Sequence, residues 1–217
     1  MDFGAGAGRS LRAVAKPRPE SPSARLFIAL DLPDEVRGGL AHWQESALGT
    51  DNALRPVRPE ALHITLAFLG YLPEREIERI SKIVTDSKAP APRIQLQPEP
   101  IPVPRKRPRL FAIEAESEAT VAIQGELSDQ LQTAALYEPE KRPFWPHLTV
   151  ARVRPEGRGA RRPARVEHPP GRLPAALEQP FDGVRLSLYR SNLRPEGAEY
   201  VSLANIELPP QGGLRGE

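Results

Sequence analysis

The stretch FWPHLTVAR (residues 144–152) sets a histidine and a threonine two positions apart inside an otherwise apolar run of strand length. LHITLAFLG (residues 62–70) does the same. Side chains at i and i+2 of a strand share a face. His63 and Thr65 therefore stand together at the front of one strand, with Ile64, Leu66 and Phe68 packed behind. His147 and Thr149 likewise stand in front of Leu148 and Val150. The chain has 217 residues, six of them Thr and four His. Two such spacings arise by chance in roughly 0.5% of sequences of this composition, so the pair reads as a repeated device.

Working outward, RLF occurs at 25–27 and 109–111, and His-x-Thr at 63–65 and 147–149. Both offsets are 84 (109 − 25 and 147 − 63). Each half runs strand, helix, His-Thr strand, which predicts an internal duplication. Two similar lobes related by a pseudo-two-fold axis would then bring the His-Thr strands face to face across a central cleft. The flanking pattern fills in the rest. ARLFIALDL (24–32) reads as a strand, and Pro-Asp opens a helix from Asp34 to about Leu48. One or two strands span 55–70, stopped by Gly70. Ile77, Ile80 and Val84 mark an amphipathic helix. An extended, proline-studded stretch (93–104) and a strand (109–116) follow. A helix over about 118–136 carries Val121, Ile123, Leu127, Leu131 and Leu136 near one face. Segments 181–193 and 198–208 form a hairpin around RPEG. No Gly-rich strand-to-helix turn is present, and several strand connections are too short for a crossover. The expectation is an α+β fold with antiparallel sheets lining the cleft and helices outside, rather than a parallel doubly wound sheet.

Hydrophobic residues make up 39% and there are 26 prolines, so part of the chain is expected to be loop or tail. Residues 1–24 read as a disordered basic tail and 209–217 as a second tail. The single bilobal domain spans 25–208 and includes a flexible Arg/Pro-rich loop at 152–174. The absence of cysteine excludes disulfides and thiolate metal sites. No run of about 18 apolar residues spans a membrane, and the first residues lack a signal peptide's apolar middle. A cytoplasmic monomer without an obligate protein partner is expected. Net charge is only +2, but basic residues cluster at 104–109 and at 151–174, where seven Arg face two Glu. That pattern suits either a solvated loop or a positive rim that attracts a phosphate backbone.

RLFIALDLP, LHITLAFLG, PHLTVAR and RLSLYRSNLRPEGAEY, in this order over residues 25–208, resemble the 2H phosphoesterase superfamily. Within it they are similar to the RNA 2′,3′-cyclic phosphodiesterases, also called 2′-5′ RNA ligases. The paired H-x-T-x signatures are His63-Ile64-Thr65-Leu66 and His147-Leu148-Thr149-Val150. The resemblance implies a bilobal 2H phosphoesterase fold with the site between lobes. His63 would be the proton donor to the leaving 3′ oxygen and His147 the proton acceptor for water, giving a 2′-phosphomonoester. Expected substrates are RNA ends bearing a 2′,3′-cyclic phosphate, tRNA fragments among them. No cofactor and no metal are expected. The same site, run in reverse, would join ends through a 2′-5′ linkage without ATP.

The residues themselves suit this chemistry. Imidazole, with an unperturbed pKa of about 6.5, can both take and give a proton near neutrality. The hydroxyls of Thr65 and Thr149 can donate to non-bridging phosphate oxygens. Further candidates for substrate binding are Arg152, Arg25, Phe27, Tyr189 and Ser191. Strand parity turns Arg152 away from the cleft unless the strand bulges there. Arg25 and Phe27 share a face, matched by Arg109 and Phe111. That face either packs in the core or lines the cleft, where Phe27 could stack a base. Tyr189 and Ser191 share a face that could form a cleft wall. Phe144 and Trp145 read as lobe-interface core, and His42 and His168 have no partner in sequence. Two other readings compete: an RNA-end binding module without catalysis, and a 2H enzyme acting on 2′-5′ linked oligonucleotides or another cyclic phosphate. Binding alone has no need of two titratable groups.

Overall fold

The structure, a computed structural model, describes residues 22–49, 51–194 and 197–210. The apolar run near the start forms β1 (Ser23–Asp31), in which Leu26, Ile28, Ala29 and Leu30 are fully buried. Both its edges are paired, to β3 (His63–Pro73) on one side and β9 (Arg185–Arg194) on the other. A strand covered on both edges and one full face needs the near-continuous hydrophobic sequence found here.

The sheet continues from β3 through β7 (His147–Val153), β6 (Leu110–Glu116) and β4 (Arg93–Leu96) to β8 (Phe181–Asp182). At its opposite end β10 (Gly197–Glu207) pairs β9. Two short strands lie off this path, β2 (Leu54–Pro56) against β7 and β5 (Ile101–Val103) against β6. Every pairing is antiparallel. The two His-Thr strands meet at the centre and join the two halves.

The helices are exchanged between those halves. α1 (Asp34–Leu48) follows β1 but packs on β2 and β7, whereas α3 (Glu118–Thr133) follows β6 and packs on β3 and β4. α2 (Ile77–Thr85) inserts Ile80 and Val84 beneath β9 and β10. Each repeat thus supplies the cover for the other's His-Thr strand, which interlocks the lobes.

Several boundaries differ from the sequence reading. β1 begins at Ser23, two residues before Arg25; most of the expected N-terminal tail, and residues 211–217 of the C-terminal one, lie outside the described residues. Gly70 does not stop β3. It sits at φ +72 beside a register shift between Leu26 and Phe27, so it bends the strand, which runs on to Pro73. Phe181 and Asp182 pair with β4, and the final hairpin starts at Arg185. Within α3, Ile123, Leu127 and Leu131 are buried, but Val121 is exposed. The helix stops at Thr133 because Ala135 turns left-handed (φ 57), with Leu136 N–H donating to Leu131 O and Ala135 N–H to Gln132 O. This closure buries Leu136 against Leu131 without the usual glycine, so the stop is invisible to a search for Gly. Among the described residues no helix is long and apolar enough to cross a membrane.

Candidate active site

β3 and β7 pair antiparallel with Ile64 opposite Leu148. That register sets His63 across from Thr149 and Thr65 across from His147. The two imidazoles occupy diagonal corners of a rectangle whose other corners are hydroxyls. Diagonal neighbours across a strand pair stand about 7–8 Å apart, which leaves room for one tetrahedral group between the rings. All four side chains line one cleft of about 370 Å³.

Matching bulges shape the cleft walls. Thr65 pairs Ala29 and Ala67 pairs Ile28, so Leu66 is the extra residue in β3. Leu66 and Ala67 are consequently both buried, and Phe68 emerges in the cleft, 46% exposed, rather than behind the strand as alternation alone predicts. In β7, Thr149 pairs Ala112 and Ala151 pairs Phe111, so Val150 is the extra residue. Val150 and Ala151 are both fully buried, and Arg152 swings into the cleft beside His147 and Thr149. Phe68 and Arg152 are thus equivalent in the two repeats (152 − 68 = 84). The β7 bulge is held from α1: buried Gln44 donates from Nε2 to Val150 O at 2.6 Å and to Val57 O at 3.1 Å.

The first histidine is enclosed by aromatic rings. Phe27 stacks on His63 at 4.9 Å, Tyr189 packs against Phe27 at 5.3 Å and against His63 at 6.3 Å, and Tyr200 meets both His63 and Phe27 edge-on. Phe27 is buried among these rings, which leaves no open face for a base. Burial pushes the His63 imidazole down to about 4, and the charges of Arg152 and His147 add to the effect; Asp31 and a backbone hydrogen bond with Ala61 oppose it. The free imidazole is thus neutral at pH 7. With its proton on the nitrogen that serves Ala61, Nε2 is bare and accepts the Thr65 hydroxyl at 3.0 Å.

Asp31, a residue that sequence reasoning missed, lies opposite His63 in the β1–β3 ladder and is 3% exposed. It accepts hydrogen bonds from Arg185 Nε (2.8 Å), the Ser187 hydroxyl (2.8 Å) and the Tyr189 hydroxyl (2.9 Å). Burial, followed by the nearby Asp31 charge, raises Tyr189, so its phenol keeps the proton it donates. Tyr189 is accordingly not a cleft wall but the strut that ties the ring stack to Asp31. On β9 it shares a face with Ser187, another of the donors to Asp31.

The second histidine is held differently. His147 Nδ1–H donates to Trp145 O at 2.8 Å, and the Trp145 indole stacks on the imidazole at 4.3 Å. Trp145 Nε1 donates to Glu114, the residue opposite His147 in the β6–β7 ladder. Glu114 therefore corresponds to Asp31, at an offset of 83 (114 − 31). The RLF repeat, offset by 84, is one residue out of structural register. Phe111 occupies the place of Ile28, buried behind the strand, and does not mirror Phe27.

Arg25 lines the cleft, its guanidinium 4.5 Å over the Phe68 ring and its Nη1 donating to Ser191 at 2.7 Å. Ser191 is buried and anchors Arg25 rather than facing substrate. Arg55, Arg58 and Arg194 line the same cleft, none of them singled out by the sequence, and among the described residues no carboxylate does. Arg55 lies directly across from Arg152 in the β2–β7 ladder. His42 is exposed beside Glu45, and His168 sits on a loop, its N–H donating to Asp51. Two proton-transfer groups around a gap for one tetrahedral centre, ringed by five arginines, suit acid–base chemistry on an anionic phosphate ester.

Comparison with known proteins points the same way. Residues 30–98 match the family model described as LigT like phosphoesterase. A Thermus thermophilus protein named RNA 2′,3′-cyclic phosphodiesterase is 30% identical over 203 residues, covering 87% of this chain and 92% of the relative. An Escherichia coli protein of the same name is 29% identical over 132 residues, 61% of this chain and 73% of its own. Among solved structures, one from Thermus thermophilus superposes with a TM-score of 0.70 at 30% identity, covering 86% of this chain and 99% of that one. The crystal structure of E. coli LigT complexed with 3′-AMP superposes at 0.66 with 25% identity, covering 86% and 99%.

Proposed function

Since the chain belongs to the LigT-like phosphoesterase family, we propose that it opens RNA 2′,3′-cyclic phosphate ends to 2′-phosphomonoesters by two-histidine acid–base catalysis. The observation that carries this reading is the diagonal arrangement of His63 and His147 across one strand pair. Phosphorus between the rings has one imidazole on each side, as in-line displacement demands. Water attacks phosphorus and gives a proton to the bare Nε2 of His147, whose Nδ1–H is fixed on Trp145 O. The P–O3′ bond breaks, and His63 Nε2–H protonates the departing 3′ oxygen. The phosphate remains on O2′.

In the free site His63 is neutral, so its donor form is a minority at pH 7. The phosphodiester anion, held beside the ring, favours the imidazolium and raises that population. Thr65 releases Nε2 and turns its hydroxyl to a non-bridging oxygen; Thr149 does the same from the opposite strand. Hydrogen bonds to such a charged partner contribute about 1.5–3 kcal/mol each. Arg152 and Arg55 neutralise the phosphate, and Phe68 offers its exposed surface to the terminal base. A 5′-hydroxyl in place of water, deprotonated by His147, gives a 2′-5′ linkage without ATP. The cytoplasm, where RNA is cleaved and repaired, is the expected location.

The test is incubation with an oligoribonucleotide ending in a 2′,3′-cyclic phosphate, followed by phosphorus NMR. A 2′-phosphomonoester is expected. A 3′-phosphomonoester would reverse the direction of ring opening, and an unchanged cyclic end would leave only end binding.

A further inference from the structure

The two basic clusters, 104–109 and 151–174, hold eleven of the chain's thirty basic residues and two of its twenty-eight acidic ones. They carry a net +9 while everything else carries −7. Far apart in sequence, they converge in space. Arg105, Lys106 and Arg107 from the β5–β6 turn and Arg162 and Arg165 from the long loop line one hollow of about 470 Å³, floored in part by Phe111. Among the described residues the single acidic group in its lining, Glu156, is 3.6 Å from Arg162. Among the same residues Arg105, Lys106 and Arg107 have no carboxylate within 4 Å.

The loop is fastened to the body. Glu156 N–H donates to Arg162 O and Ala164 N–H to Arg154 O, closing a hairpin beyond β7. Asp51 accepts the N–H groups of Glu167 and His168; burial works to raise its carboxyl, but these bonds and one from Ala53 outweigh that and hold it below its usual range. Trp43 Nε1 donates to Arg172 O, and Leu173 is buried. A fixed frame that gathers like charges around one hollow raises their mutual repulsion, which a bound polyanion removes.

The turn that lines the hollow starts near the cleft. Arg55, Arg152, Leu110 and Val103 form one row across β2, β7, β6 and β5, and the basic turn begins at the residue after Val103. Two strand spacings make the step from Arg152 to Val103 about 10 Å. None of the exposed large hydrophobic side chains, Phe68, Tyr71, Val121, Leu193 and Val201, lies on either arm. A concave basic surface without protruding apolar groups suits a nucleic-acid backbone better than a lipid headgroup layer.

We propose that this hollow is a second RNA site, binding backbone phosphates on the 5′ side of the cyclic end and making the protein selective for RNA chains over mononucleotides. The proposal rests on the reaction proposed above. The experiment compares wild type with the combined variant Arg105→Ala, Lys106→Ala, Arg107→Ala, and with Arg162→Ala, Arg165→Ala. Substrates are a 20-nucleotide RNA and a dinucleotide, each ending in a 2′,3′-cyclic phosphate, between 50 and 200 mM salt. With a slope of about 0.7 per phosphate contact on single strands, removing three contacts should lower the salt dependence of KM for the 20-mer by about 2. kcat/KM on the 20-mer should fall roughly 10–100-fold through KM, with the dinucleotide unchanged within about twofold. Equal losses on both substrates, or none on the 20-mer, overturn the proposal. Fluorescence anisotropy with a 20-mer ending in a 3′-hydroxyl separates the two readings. Weaker binding by the variants alongside no turnover of any cyclic end refutes the reaction and leaves the RNA site standing. Variants that lose binding only to phosphatidylserine vesicles would overturn it in favour of a membrane contact.

Discussion

Protonating His63 should cost the fold more than protonating an exposed histidine, and the cost sets a pH window. Its folded-state value of about 4 lies below the ordinary 6.5. Below pH 6.5 the unfolded chain therefore binds a proton that the folded chain refuses. The linked stability is complete above pH 6.5, declines as pH falls, and is fully lost near pH 4. Two and a half pH units at 1.36 kcal/mol each give about 3 kcal/mol, a ceiling because the ring keeps one edge on the open cleft. The perturbation is His63→Phe, which preserves an aromatic ring against Phe27 and Tyr200 but cannot titrate. Urea unfolding at intervals from pH 7.5 to 4 yields each protein's stability in water. Absolute stability of the variant is free to differ; only the pH slope matters, and contributions from other titrating groups cancel in the difference. Wild type should lose up to about 3 kcal/mol more than the variant across this window. Parallel curves would refute the enclosure of His63 in a desolvated ring stack. Asp31→Asn, which removes the charge that opposes the depression, should push the midpoint still lower, readable as the His63 Hε1 shift by NMR.

Three further outcomes follow from the site. His63→Ala and His147→Ala should each lose at least about 10²-fold in turnover, with a bell-shaped pH–rate profile in the wild type; near-normal rates in either variant would end the two-histidine mechanism. Gln44→Leu removes the donor that holds the β7 bulge at Val150; it should destabilise by about 1–3 kcal/mol and raise KM through a misplaced Arg152, whereas a change in stability alone would assign Gln44 a purely structural role. Arg152→Lys keeps the charge but loses planar two-point contact with phosphate, and steady-state kinetics should show KM raised more than kcat is lowered.

The elements were legible because their signals are local. β1, α1, β3 and β7 follow from apolar runs, a Pro-Asp start and strict alternation, and α1 spans the residues its pattern marks. The end of α3 was not, since Ala135 adopts a conformation usually left to glycine. The four central site residues were visible because their spacing repeats. Asp31, Gln44, Arg55 and Arg58 were not, because each acts on a partner brought close only by pairing or packing.

By itself the sequence determined which side chains could perform the chemistry, and that two copies of the same strand must carry them. Composition and parity are properties of one strand at a time, and they survive without knowledge of its neighbours. Only the tertiary structure decided that Val150 and Leu66 bulge, which turns Arg152 and Phe68 from the back of their strands to the front. It also decided that Phe27 is buried among rings rather than open, and that two remote basic segments share one hollow. A bulge depends on the register between two strands and on a donor such as Gln44 reaching its freed carbonyl, and neither is encoded within the strand that bends.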